Sequence, residues 1–221
     1  MKVIITGSTG MVGQAVLIEC LESDQVDSVL LINRTSLNRS HPKLKELLLP
    51  DFMDIGSLKE QMTGLDACFY CMGVSALGMS EADYTRITYD TTELFAKVLF
   101  DQNPGMTFNY VSGMGTDGTE KGRSMWARVK GKTENKILSM GFRDAYAFRP
   151  GLILPEKGVR SKTKWYNTLY VVLSPLMPLL KKISSSSPSS LVGQAMINSV
   201  LFKQEKKVLE PKDINQLGRM D

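Results

Sequence analysis

Metal-ligating residues are scarce in this chain. It has one histidine, His41, and three cysteines, Cys20, Cys68 and Cys71. Cys68 and Cys71 form a C-x-x-C, but they lie in LDACFYCMG, which reads as a buried strand, and the second ligand pair of a structural metal site is missing. No metal is expected. A chain of 221 residues needs no disulfide staples, so the three thiols suit a reducing compartment, the cytoplasm being the simplest. An export signal is not expected either, because MKVIITG leads straight into a strand-like run with no cleavable apolar segment. Long hydrophobic runs are also absent. The most apolar stretch, Trp165 to Leu180, is interrupted by Pro175 and Pro178 and is too short and broken to span a bilayer. It is read as a substrate-covering or core-packing helix, with an oligomer contact or attachment to an anionic membrane surface as alternatives. There is no internal repeat, and 43% hydrophobic with 23% charged residues points neither to disorder nor to a coiled coil.

Charge is present but uneven. The net is +4, and from Gly151 onward there are 11 Lys/Arg against 5 Asp/Glu, which leaves 16 against 18 before that point. The basic C-terminal third is read as a solvated surface, with an acidic ligand, a membrane surface or nucleic acid as alternatives. A nucleic-acid partner is not expected, because the basic residues are not interleaved with aromatics along a groove-sized element.

Glycine is concentrated where it matters. Val3, Ile4 and Ile5 read as a strand buried on both faces, and Gly7, Gly10 and Gly13 then recur every third residue before a helical pattern begins. A tight turn at Gly7, close backbone approach at Gly10 and helix-to-strand packing at Gly13 would present the N–H groups of a helix start to a pyrophosphate. Thr9, Met11 and Val12 complete that candidate loop. The next helix carries Val16, Leu17, Cys20 and Leu21 on one face and Glu19, Glu22 and Ser23 on the other, and a second strand runs from Ser28 to Ile32. Where that strand ends, a carboxylate would suit a ribose 2′-OH and an arginine a 2′-phosphate. The sequence has Arg34 there and no carboxylate nearby, which favours NADP (NADPH) over NAD, with Thr35, Ser36 and Arg39 as helpers; otherwise Arg34 is an exposed loop charge.

DFMDI, Asp51 to Ile55, reads as a third strand, which puts Asp54 and Ile55 at a position to meet adenine; the alternative makes Asp54 the N-cap of a helix starting near Gly56 and Ser57. A fourth strand, Ala67 to Cys71, passes through Met72 to Gly73, where a glycine admits a flat ligand close to the backbone. A polar loop, Val74 to Ser80, precedes a long helix from about Glu81 to Asp101 that ends at Asn103-Pro104-Gly105. The fifth strand, Thr107 to Val111, delivers Ser112 to the carboxyl edge where ligands of open α/β sheets gather. In the following helix Trp126 and Lys130 share a face, and Lys130 is either an inward group in need of a partner or a surface lysine. A sixth strand, Ala145 to Phe148, leads into Pro150, Gly151 and Leu152. Ser184 to Ser190 reads as a flexible connection or turn, followed by a helix, Leu191 to Phe202, and a short strand near Val208 and Leu209.

The ordered set TGSTGMVG, NRT, FMDI, CMGVS, YVSGMG, W-x-x-x-K and FRPG, across residues 3 to 154, resembles the atypical short-chain dehydrogenase/reductase superfamily, in particular its small epimerase-like members with NmrA-like and Tat-interacting-protein-like relatives. The resemblance implies an α/β fold: a Rossmann-type doubly wound parallel sheet with helices on both faces and a small C-terminal substrate-binding part, about residues 155–190 of a single 1–221 domain. It also implies a bound NAD(P). Catalytic members use Y-x-x-x-K and a serine at the end of the fifth strand. Lys130 and Ser112 match these, but Trp126 stands where the tyrosine belongs, and an indole N–H cannot exchange a proton near neutral pH. Tyr84, Tyr110 or Tyr166 would have to supply the missing donor. Three functions follow: an NADP-dependent oxidoreductase or epimerase-like enzyme acting on an unknown small molecule, a degenerate NADP-binding sensor with a protein partner, or a membrane-surface or electron-transport assembly factor.

Overall fold

The computed structural model describes residues 1–159 and 185–220. At its centre β1 (Lys2–Thr6) sends Val3 and Ile5 into one apolar cluster and Ile4 into another. Successive side chains point to opposite faces, so a strand covered on both sides must be apolar at every position. This is why VII is unbroken. Around it a seven-stranded sheet, parallel at every pairing, runs in the spatial order β3 (Leu44–Leu48), β2 (Ser28–Asn33), β1, β4 (Ala67–Tyr70), β5 (Thr107–Val111), β6 (Asp144–Phe148), β9 (Val208–Leu209). The chain builds outward from β1 in one direction and from β4 in the other, which opens a crevice between their carboxyl ends. A separate parallel pair joins β7 (Leu152–Leu154) to β8 (Ser186–Pro188).

One face of the sheet is covered by α1 (Met11–Glu22), α5 (Ser189–Leu201) and α6 (Pro211–Leu217). The other is covered by a 3₁₀ segment (Phe52–Gln61), α3 (Thr91–Gln102) and α4 (Met125–Leu138). α5 lies along α1 so closely that a Cβ on Gly193 would fall 2.6 Å from Glu19 Cγ. That contact overturns the amphipathic reading of α1. Glu19 is buried, paired with Lys157 at 2.7 Å rather than facing water.

Three further expectations fail. DFMDI is not a strand: Phe52 and Ile55 are three apart, a helical spacing, and both enter the core from the 3₁₀ segment. The third strand is LKELL, an edge strand whose charges obscure any apolar alternation. The cap is Asp51, which accepts from Met53 N at 2.9 Å, not Asp54. The described part of the serine-rich stretch is not a flexible connection: Ser186 and Ser187 are buried in β8, and Ser189 begins α5. The helix expected from Glu81 exists, as α2 (Glu81–Thr85) running into α3, but a π turn, Arg86–Asp90, interrupts it. Trp165 to Leu180 and Tyr166 lie outside the described residues. Among those described, no helix is long and apolar enough to cross a membrane and no cluster of three or more His, Cys, Asp or Glu is placed to hold a metal.

Candidate functional site

The crevice is shaped by glycine. Gly7 has φ +67°, and a Cβ there would lie 2.5 Å from Cys71 O; a Cβ on Gly13 would lie 2.2 Å from Gly7 O. These two positions let the ends of β1 and β4 and the first turn of α1 close on one another. Gly10 is the N-cap of α1 without a side-chain cap, and the first helical turn has no acidic residue. Gln14 N reaches Gly10 O at 2.9 Å, so the N–H groups of Met11, Val12 and Gly13 have no partner within the helix. An uncapped helix start of this kind attracts anions.

Seven sequence candidates, Gly7, Thr9, Gly10, Arg34, Cys71, Met72 and Gly73, line one cleft of about 440 Å³, which continues along Thr88 and Thr91 of the long helix. Thr35 is exposed beside Arg34 and outside that lining. Asp54 is exposed and Ile55 fully buried; Asp51 and Phe52 border the cleft in their place. Pro150, Gly151 and Leu152 follow β6 at the same sheet edge, where Pro150 O accepts from Met114 N at 3.0 Å, but they do not line the cleft. Cys68 is buried in β4 and burial raises the thiols of both Cys68 and Cys71, the reverse of a reactive C-x-x-C.

A second cavity of about 540 Å³ adjoins the first through Val74 and is bordered by Leu77, Tyr84, Met125, Trp126 and Lys130. Its lining is largely apolar. Trp126 and Lys130 do share one face of α4, and Lys130 points inward, its Nζ donating to the backbone O of Ser112. Burial pushes its ammonium down to about 8, against the pull of Glu134. The Ser112 hydroxyl is turned away from this cavity and bonds the carboxylate of Glu134. Glu134 is 1% exposed and is held by Arg149 through two bonds, Nε to Oε1 at 2.9 Å and Nη2 to Oε2 at 2.5 Å. Arg149 also reaches Glu210 at 3.1 Å. Of the proposed tyrosines, Tyr84 borders the cavity with its phenol raised by burial, while Tyr110 is buried in the aromatic core.

Two groups escaped the sequence reading. Glu134 sits one turn beyond Lys130 on the same face, a spacing that could have signalled it. Glu46 could not have been found by proximity in sequence to Arg34. It comes from β3, next to β2, and its carboxylate lies inside the β2–β3 loop, so the expectation of no carboxylate near Arg34 is wrong in space.

A doubly wound parallel sheet with a glycine turn at its switch point is the architecture of Rossmann-type proteins. The same fold is seen in the dTDP-glucose 4,6-dehydratase DesIV of Streptomyces venezuelae, solved with NAD (13% identity, TM-score 0.71, 95% of this chain and 74% of that one). It is also seen in a short-chain dehydrogenase of Burkholderia cenocepacia, solved with NADP (10% identity, TM-score 0.68, 97% and 91%). No family model matches the chain. In sequence it is similar to the Aspergillus oryzae protein named fmp52-2, mitochondrial, at 28% identity over 97% of this chain and 96% of that one. It is likewise similar to Protein HTATIP2 of Rattus norvegicus, at 24% over 99% and 89%. In sequence and in fold the chain thus resembles the atypical short-chain dehydrogenase/reductase superfamily.

Proposed function

We propose that this protein binds a nicotinamide dinucleotide, NADP(H) in preference to NAD(H), and is an oxidoreductase at a carbonyl or alcohol carbon. The residues fit such a cofactor: the bare start of α1 and the Gly7–Gly13 turn offer N–H groups to a diphosphate, and Arg34 borders the same cleft where a 2′-phosphate would lie. The solved neighbours carry NAD or NADP, which supports the class of cofactor and leaves the choice between them to Arg34. When bound, the nicotinamide supplies the hydride.

The observation that carries the reaction is Lys130. Among the described residues that border the second cavity, Lys130 and Tyr84 are titratable, and the Tyr84 phenol is shifted away from neutrality while the Lys130 ammonium is shifted toward it. The Trp126 indole N–H is far too weak an acid to give up its proton near neutral pH, and the Ser112 hydroxyl is engaged by Glu134. Lys130 therefore takes the role of proton donor to the developing alkoxide, at a pKa suited to the task. Reduction should then slow as pH rises through about 8, because the donor is the protonated form. The test is NADPH oxidation over a panel of aldehydes and ketones from pH 6 to 10 (about four units, enough to define one titration), with Lys130→Met alongside. Turnover that persists in Lys130→Met with an unchanged profile would remove this assignment.

Trp126 and the engaged Ser112 also favour a second reading, a cofactor-occupied protein without turnover that reports cofactor state to a partner. NADPH binding with no oxidation across the panel, together with activity gained by Trp126→Tyr, selects it. The free thiols support the cytoplasm as the proposed compartment, although the fungal relatives are named mitochondrial. Subcellular fractionation decides between them.

A further inference from the structure

The β2–β3 loop carries Arg34, an exposed side chain that is the basis for preferring a phosphorylated dinucleotide. A cation on a loose loop recognises a phosphate poorly, since each binding event must first order the loop. In this protein the loop is held from below by one carboxylate. Glu46 Oε1 accepts from Asn33 Nδ2 at 2.7 Å and from Leu37 N at 3.1 Å; Oε2 accepts from Ser36 Oγ at 2.5 Å and lies 3.3 Å from Leu37 N. Asn33 in turn accepts from the buried Ser8 hydroxyl at 2.8 Å. An unbroken chain of hydrogen bonds thus runs from Ser8, inside the glycine turn, through Asn33, just before Arg34, and Glu46 to Ser36 and Leu37, just after it.

We propose that Glu46 sets the dinucleotide preference of the cleft as a positioning residue, by holding the β2–β3 loop in the shape that presents Arg34 to a 2′-phosphate. The inference rests on the dinucleotide reading above. A carboxylate at the end of β2 would favour the unphosphorylated cofactor by accepting from its ribose hydroxyl. Glu46 does not act that way, because both of its oxygens already accept from donors of the neighbouring strand β2 and of the β2–β3 loop. Glu46 is not among the residues that border the cleft, and its charge is solvated by the donors of Asn33, Ser36 and Leu37. Burial pushes its carboxyl up, but the bonds from Ser36, Asn33 and Leu37 outweigh this and leave it below the usual carboxylate range, so the clamp is ionised at neutral pH. A carboxamide at this position would turn an NH₂ toward one set of donors and release that side of the loop.

The test is a fluorescence titration of the purified full chain with NADPH and with NADH, for wild type, Arg34→Ala, Glu46→Gln, Ser36→Ala and the Arg34→Ala/Glu46→Gln double variant. Glu46→Gln should weaken NADPH binding by about tenfold, the scale of one charge-assisted contact, and leave NADH within about twofold. Added to Arg34→Ala it should cause almost no further loss, since both act on one contact. If Glu46→Gln does not fold, Ser36→Ala, which removes a single donor from an exposed loop, should shift the NADPH/NADH ratio in the same direction. A wild-type preference that depends on Arg34 but survives Glu46→Gln and Ser36→Ala overturns this inference alone. So does an equal loss for both cofactors, which would make Glu46 merely structural. A wild type with no preference for NADPH, or one indifferent to Arg34→Ala, overturns the NADP reading and this inference with it.

Discussion

At the scale of the residue, Lys130 shows how an inward-facing charge is held at a cost to stability. Its ammonium has left water for the base of a largely apolar cavity, where one backbone carbonyl and the nearby Glu134 replace its hydration. Its pKa falls from 10.5 to about 8, with burial as the chief cause. Between those two values the unfolded chain binds more protons than the folded one, so stability rises with pH through that window, and below about 8 the full penalty is present. At about 1.4 kcal/mol per pKa unit this is on the order of 3 kcal/mol, reduced by the bond to Ser112 that a replacement would lose. Lys130→Met should therefore stabilise the protein by about 1–3 kcal/mol at pH 7, and the gain should shrink toward pH 10. Urea unfolding at the two pH values checks this. A destabilisation of equal size at both would show that packing, not desolvation, governs the site.

At the scale of the element, Glu134, Arg149 and Glu210 tie α4, the end of β6 and the start of α6 into one charged knot. Removing one member of a buried pair strands the other. Glu134→Ala should cost about 3 kcal/mol, whereas Glu134→Leu combined with Arg149→Met should recover much of the loss, because a buried ion pair barely outperforms apolar packing. Equal destabilisation of the single and double variants in urea would contradict this.

The same elements show what could be read in advance. Strands buried on both faces were legible because an unbroken apolar run has few other meanings: VII, SVLLI, ACFY and DAYAF all stand where they were expected or within a residue. LKELL was missed because an edge strand carries its own charges, and one of these, Glu46, proves to be a loop clamp. α6 was missed although Glu210-Pro211-Lys212-Asp213 contains a capping box with proline at the helix start, a local signal that a seven-residue helix offered and periodicity could not. The glycine turn, Arg34 and Cys71 to Gly73 meet in one cleft because each ends a parallel strand, which the order of motifs already implied. The Ser112–Glu134–Arg149 contact was not legible, since it joins residues from three elements by side-chain direction alone.

At the scale of the whole molecule, the cleft lies between two halves of one sheet that wind in opposite directions, so a ligand seated there touches β1, β2 and β4 together. Binding at such a seam stabilises the entire fold by mass action. NADPH at about a hundred times its Kd should add about 2.7 kcal/mol and raise Tm by roughly 5–10 °C for a chain of this size, with a smaller rise for NADH at the same concentration. Differential scanning calorimetry across a concentration series checks this, and a Tm indifferent to both nucleotides would refute the assigned cleft.

The packing of α1 against α5 governs how the protein comes into being on the ribosome. Val16, Leu17 and Cys20 find their partners in Val192, Ala195 and Met196, near the other end of the chain. From the completion of α1 at Glu22 to the first residue of α5 at Ser189, roughly 170 residues must be translated, on the order of ten to thirty seconds of synthesis. For that interval an apolar helix face waits uncovered, making the nascent chain a client for chaperones and its N-terminal third the segment most exposed to aggregation.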